Sequence, residues 1–352
     1  MDTKKVRYGK SSEFYLNVKN DFFNKNQLYI KKQKEFAKVY KAQPPRLQCK
    51  NCDYKLSTDP DFTKDEIGYA LCEKCGHLNG MHQDTQEFCD IVYTADGGKK
   101  YSENYTAKDI DEYNYRVATV YAPKAEFLYS SILGKHIKPT ELSYLDLGCG
   151  SGHFVSALKK IGLSKSHGTE VSKSQIDFGN AMIGDEVLRE HKLEDTKLTV
   201  RNSTAQVISM IGVLEHLDDP RAILKEIKDN DNILYCYLCI PTFSFSVFLE
   251  IFSKSIFHRQ LSCAHTHLYT ENSINHFCQE FGFEIDSEWW FGTDMVDLFR
   301  HIYVSLDELN CSEKCKTLWR DSFSPIIDSL QLEMDKKKAS SEVHLLLKKY
   351  KI

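Results

Sequence analysis

The segment Tyr144-Leu145-Asp146-Leu147-Gly148-Cys149-Gly150-Ser151-Gly152-His153-Phe154 constrains this chain more than any other: an apolar strand runs into three closely spaced glycines and then a helix-forming run. Glycines let the backbone turn tightly and approach a ligand where no Cβ would fit, and the following helix offers its free N–H groups at that point. The arrangement suits a nucleoside cofactor. Its spacing, G-x-G-x-G, differs from the dinucleotide pattern G-x-G-x-x-G. The next acidic residue at a strand end is Glu170, eighteen positions after Gly152, in Gly168-Thr169-Glu170-Val171-Ser172. A carboxylate about 20 residues downstream suits two ribose hydroxyls.

A third element lies further on. Val207-Ile208-Ser209-Met210-Ile211-Gly212-Val213-Leu214-Glu215-His216-Leu217-Asp218-Asp219-Pro220 reads as a buried strand that breaks into a polar, Pro-terminated loop. Ligands of open α/β sheets bind at the carboxyl ends of such strands. Around these anchors the pattern alternates: strand 143–147, helix 152–162, strand 166–171, helix 173–182, strands 186–193 and 207–211, helix 220–228, strand 232–240. The alternation predicts an α/β fold, a Rossmann-like, doubly wound and mostly parallel sheet.

Together the three segments resemble the class I S-adenosylmethionine-dependent methyltransferases over roughly residues 140–300. The resemblance implies S-adenosylmethionine as cofactor, with Asp146, Gly148, Gly150 and Gly152 in the cofactor loop, Glu170 on the ribose, and Ile211 at the end of the fourth strand. Glu194 or Asp195, following the third strand, would lie near the adenine amine. Gln206 stands where that family often has an aspartate before the fourth strand.

Ahead of this domain, Cys49-Lys50-Asn51-Cys52 and Cys72-Glu73-Lys74-Cys75 are separated by nineteen residues, the spacing of a four-cysteine zinc ribbon. Four thiolates fill a tetrahedral shell and leave no position for water, so the expected Zn²⁺ is structural. Gly76 allows the tight turn of a zinc knuckle. His77 and His82 then read as surface or turn residues. Cys236 and Cys239, three apart on a strand, face opposite sides and read as small core residues. Twelve cysteines without a secretory pattern suit reduced thiols or metal ligands, and no run approaches the length of a membrane span; the expectation is a cytoplasmic protein.

The predicted organisation is a helical basic segment 1–43, a zinc-ribbon module 44–95, a helical linker or lid 96–140, a methyltransferase domain 141–302 and a helical C-terminal segment 303–352. Pro44-Pro45 separates the first two. The first segment interleaves lysines with aromatic residues, which suits either a nucleic-acid surface or, more simply, an amphipathic helix with a solvated lysine face. In the linker, Tyr105 and Arg116 are candidate ligand contacts of a lid, packing being the alternative role for its aromatic residues.

Methyl transfer from a sulfonium is an in-line displacement, so the enzyme must align the acceptor and take up any proton it loses. His216 follows the fourth strand, and His265 and His267 follow the fifth. All three are candidate general bases, His267 foremost. The pattern His265-x-His267-Leu268-Tyr269-Thr270, with a zinc ribbon before the catalytic domain, looks like bacterial sugar methyltransferases, including zinc-containing C-methyltransferases of nucleotide-linked deoxysugars. That implies a small-molecule partner, a sugar or nucleotide sugar. The other class is an RNA-modifying methyltransferase gripping nucleic acid with its ribbon and basic N-terminus. Against it stand the formal charge of −4 and the acidic insert Asp59, Asp61, Asp65 and Glu66, which would repel phosphate. The sequence sets neither the methylated atom nor the oligomeric state.

Overall fold

The computed structural model describes residues 4–18, 23–94, 109–135, 137–261 and 265–350. Its strands are β1 (Lys5–Tyr8), β2 (Phe62–Lys64), β3 (Ile67–Leu71), β4 (Leu78–Gly80), β5 (Tyr144–Leu147), β6 (Ser166–Glu170), β7 (Leu188–Glu190), β8 (Val207–Ile211), β9 (Tyr235–Pro241), β10 (His267–Leu268), β11 (Phe283–Phe291) and β12 (Glu342–Lys349). Eight of them form one sheet in the order β1-β11-β12-β9-β8-β5-β6-β7. The pairings from β7 to β9 are all parallel, whereas β12 runs antiparallel to both β9 and β11. The expected doubly wound, mostly parallel sheet is thus present.

Its middle strands are apolar on both faces because helices cover both. Leu145, Ile208, Leu238 and Ile240 pack with Ile223 and Ile227 of the helix Pro220–Asp229 and with Phe277 of the helix Glu271–Phe281. Tyr144, Val207 and Tyr237 face the other way, onto Leu128 of the helix Ala122–Ile132 and Phe154 and Leu158 of the helix His153–Lys160. The chain order reverses at β5, whose neighbours are β6 on one side and β8 on the other. The glycine loop leaves β5 at this switch point, where open α/β sheets bind ligands.

Two expectations need correction. Residues 5–8, placed in a helical segment, form β1 and pair with β11; edge pairing and the stacking of Arg7 over Trp289 at 4.0 Å outweigh local propensity. The tail from residue 303, read as helical, ends in β12. Val343 to Leu347 are buried throughout, and a short continuous apolar run does not distinguish a strand from a helix.

A second, antiparallel sheet has the order β10-β4-β3-β2. It joins the cysteine-rich segment to the stretch after β9, through His267↔Asn79 and Leu268↔Leu78. The helix Asn26–Lys41 lays Gln33, Ala37 and Tyr40 inward and leaves Lys31, Lys32, Lys34 and Lys38 in solvent, the pattern of an amphipathic helix. Among the described residues no helix is long and apolar enough to cross a membrane.

Candidate active site

At the glycine loop the backbone takes left-handed conformations at Gly148, Gly150 and Gly152, with φ of 68°, 54° and 68°. A Cβ on Gly148 would come within 2.8 Å of Val213, and one on Gly152 within 2.7 Å of Leu188. Glycine is therefore required at both positions by backbone conformation and by the close approach of Val213 and Leu188, and the tight turn it permits fits a nucleoside-binding loop. Glu170 secures it: Gly150 N donates to Oε2 at 2.9 Å, and Val171 and Ser172 N donate to Oε1 at 2.8 and 3.1 Å. Burial nevertheless raises the Glu170 pKa above its ordinary value, the three N–H donors opposing it. Asp146 accepts from Ser209 Oγ at 2.6 Å, and burial pushes its carboxyl up to about 7. Ile211 is half-buried at the end of β8. Asp195 is half-buried in the turn Leu193–Asp195, while Glu194 stands in solvent beside Lys192 at 3.7 Å.

Tyr105 lies outside the described residues. The helix Ile110–Arg116 continues through a π-helical turn, Val117–Tyr121, into the helix Ala122–Ile132 and covers the glycine loop. Tyr113 donates from its hydroxyl to Ser151 O at 3.1 Å. The His153 ring is stacked on Tyr113 at 4.4 Å and on Tyr121 at 5.3 Å. Burial, and then Arg116, lower the His153 pKa to about 3, which places Arg116 near the loop. Tyr113, Tyr121 and His153 carry no individual signal in the sequence, although all three belong to stretches it marks, one rich in tyrosine and one the glycine loop itself.

At the carboxyl edge of β8, Glu215 and His216 lie on the short turn Leu214–His216. Glu215 is 3% exposed, and its Oε2 has no partner among the described residues; burial raises its pKa to about 8. The His216 and His265 rings stack at 5.2 Å. His216 Nδ1 lies 3.0 Å from the Tyr93 hydroxyl, and His265 Nδ1 donates to Gln260 O at 2.9 Å. Burial lowers the His265 pKa to about 4.

His267 does not join that stack. It sits fully buried in β10, its Nδ1 2.8 Å from Nε2 of His77. His77 is accordingly not a surface residue. Its Nδ1 lies 3.4 Å from Ser273 Oγ, which spends its single proton on Thr270 O at 3.0 Å. With the Ser273 proton on Thr270 O, His77 Nδ1 donates to Ser273, His77 Nε2 accepts from His267 Nδ1, and His267 Nε2 is the unprotonated nitrogen. That Nε2 is buried and has no partner among the described residues. Burial, and then Lys50, hold both imidazoles well below their ordinary pKa, so both are neutral.

Beside the cofactor edge, Cys239 pairs with Ile211 in the β8–β9 register. Its Sγ donates to Glu342 Oε1 at 3.1 Å, and the same oxygen lies 3.3 Å from Lys124 Nζ and 2.9 Å from His344 Nε2. Burial works against the Glu342 charge, but Lys124 and His344 hold its carboxyl well below the ordinary value. Cys236 is a core residue as expected; Cys239, though buried, belongs to this polar group instead. The pairing of β12 with β9, which brings Glu342 and His344 to Cys239, has no local mark in the sequence.

The four cysteines of the N-terminal module converge. Cys49 and Cys75 Sγ are 3.7 Å apart, Cys52 and Cys72 Sγ 3.5 Å, and all four lie within 4.8 Å of one another. Zn–S bonds of about 2.3 Å in a tetrahedron place sulfurs about 3.8 Å apart. Asn51 Nδ2 donates to Cys75 Sγ and Asn79 Nδ2 to Cys49 Sγ, both at 3.6 Å. Gly76 turns with φ of 70°. The donor set and spacing fit a tetrahedral soft-metal site.

The family described as "Methyltransferase domain" matches residues 113–288, half of the chain. An uncharacterised methyltransferase of Schizosaccharomyces pombe is 28% identical over 134 residues, 35% of this chain and 47% of the relative; the chain spans about half the length of that relative. Among solved structures, the magnesium protoporphyrin IX methyltransferase of Synechocystis with bound SAH superposes with a TM-score of 0.47 at 9% identity, covering 76% of this chain and 100% of that one. A SAM-dependent methyltransferase of Archaeoglobus fulgidus gives 0.41 at 14% identity, covering 71% and 98%. The family match spans half of the chain and includes the glycine loop, so the chain belongs to the methyltransferase-domain family.

Proposed function

We propose that this enzyme methylates a small polar acceptor, a sugar or nucleotide-linked sugar, with His267 as the general base and a structural zinc held by Cys49, Cys52, Cys72 and Cys75. The observation that carries the base is the buried His267 Nε2, which has no partner among the described residues while Nδ1 is engaged by His77. His216, on the loop after β8, is among the groups whose charge acts on that ring. When bound, S-adenosylmethionine supplies the methyl group, cradled by Gly148, Gly150 and Gly152, with Glu170 accepting from the ribose. His267 Nε2 takes the acceptor's proton, and the imidazolium shares its second N–H with His77.

A polar acceptor is supported by the groups gathered at the carboxyl edge, Glu215, His216 and His265 on one side and Lys124, Glu342 and Cys239 on the other. An RNA acceptor gains no support. The basic helix Asn26–Lys41 uses its inner face for packing, its Lys41 pairs with Glu66 of the acidic insert at 2.6 Å, and the insert's Asp59 and Glu66 stand exposed where they would repel phosphate. The test is mass spectrometry of a panel of nucleotide sugars incubated with the enzyme and methyl-labelled S-adenosylmethionine. A labelled nucleotide sugar whose formation falls about 10²–10⁴-fold in His267→Ala supports both parts of the reading. Labelling of generic RNA instead would replace the acceptor class.

A further inference from the structure

We propose that Glu215, His216 and His265 form a divalent-cation site at the carboxyl edge of β8, distinct from the four-cysteine site. One ligand atom from each lies within 4.8 Å of the others, and His216 Nε2 is already 3.9 Å from Glu215 Oε1. Bonds of about 2.0–2.2 Å to nitrogen and oxygen place tetrahedral donors about 3.3–3.6 Å apart. The 3.9 Å pair is already close to that separation, and the widest pair must draw in by up to about 1.5 Å, within the reach of side-chain rotation.

The hydrogen bonds around the three side chains prepare them for this role. His265 Nδ1 is committed to the carbonyl of Gln260, which only accepts, so Nε2 carries the lone pair. His216 Nδ1 is engaged by the Tyr93 hydroxyl, which leaves its Nε2 on the side of Glu215. An oxygen partner on the far nitrogen is the usual support of a metal-bound histidine. Glu215 supplies an independent observation. It is 3% exposed, and Oε2 has no partner among the described residues, a costly state for a buried carboxyl group; a cation taking the place of its proton would supply the missing partner.

A second group of similar composition, Cys239, Glu342 and His344, lacks this feature: Lys124 and His344 already satisfy its carboxylate. Two imidazoles and one carboxylate favour a first-row transition ion such as Mn²⁺ over Mg²⁺. Three protein donors leave coordination positions for oxygens of the acceptor. This last role rests on the acceptor reading above; the site itself does not.

The test is an electron paramagnetic resonance titration of the zinc-loaded protein with Mn²⁺ alone. The expected result is one bound Mn²⁺ per chain, with affinity reduced at least about tenfold in Glu215→Gln and in His265→Ala. Both variants should retain the cooperative thermal unfolding of the parent, which separates lost ligation from lost folding. Absence of bound Mn²⁺ in the parent, or equal binding by parent and both folded variants, overturns the site. Mn²⁺ bound as expected with no nucleotide sugar methylated upholds the site and overturns the acceptor reading.

Discussion

His77 Nε2 and His267 Nδ1 lie 2.8 Å apart, a hydrogen bond between the cysteine-rich module and the segment that follows β9. The module therefore reaches the segment after β9 through a buried side-chain contact. If His267 is the base proposed above, His77 is a positioning residue that selects which of its nitrogens carries the proton.

The first prediction tests that link. His77→Ala leaves the buried His267 Nδ1–H without an acceptor, which costs about 1–3 kcal/mol of stability. Turnover should fall by about one to two orders of magnitude, through kcat, with S-adenosylmethionine affinity nearly unchanged. Thermal unfolding, steady-state kinetics and calorimetry on the same variant check it. An unchanged kcat would show that His267 is not the base or needs no fixed tautomer.

Glu170→Ala removes the acceptor of three backbone N–H groups as well as the carboxylate assigned to the ribose. Calorimetry should show cofactor binding weakened by about 1.5–3 kcal/mol, the scale of hydrogen bonds to a charged group. Parent-like affinity would remove Glu170 from the cofactor site.

Metal analysis of protein purified without chelator should find one zinc per chain. Cys72→Ser should destabilise the β10-β4-β3-β2 sheet and with it the placement of His267, so catalysis falls although cofactor affinity persists. Zinc-free protein with full thermal stability would refute the structural role.

Asp146 gives a pH prediction. Burial raises its folded-state pKa from 3.8 to about 7, so the stability its protonated form confers is full below about pH 4 and is lost as pH rises through about 7. Asp146→Asn does not titrate, and its amide oxygen can still accept from Ser209. Without cofactor, the variant should gain about 1–3 kcal/mol on the parent between pH 4 and pH 8. Thermal melts across that range check the sign, and a pH-independent difference rejects it.

What the sequence shows follows the range of the interactions. The glycine loop, Glu170 and the four cysteines are written in short motifs, because turns and metal knuckles are made by neighbours in the chain. The edge strand β1 and the inner strand β12 are not, since their pairing partners lie far away and their own residues suit either secondary structure. The same holds for the site. His216 and His265 could be nominated from strand ends, but the Glu215 carboxylate beside them and the Lys124–Glu342 ion pair depend on strand order. His77 carries no local mark of burial, so its bond to a residue 190 positions away was beyond motif reading.

The position of β12 bears on how this chain is made. It lies between β9 and β11, so the catalytic sheet is finished by a strand synthesised some hundred residues after β9. Until residue 349 has left the ribosome, β9 and β11 each present an open edge, a template for pairing with other chains. The last strand to be synthesised therefore sets when the sheet first becomes whole, and a chain cut at residue 341 would expose two unpaired edges in the middle of its sheet.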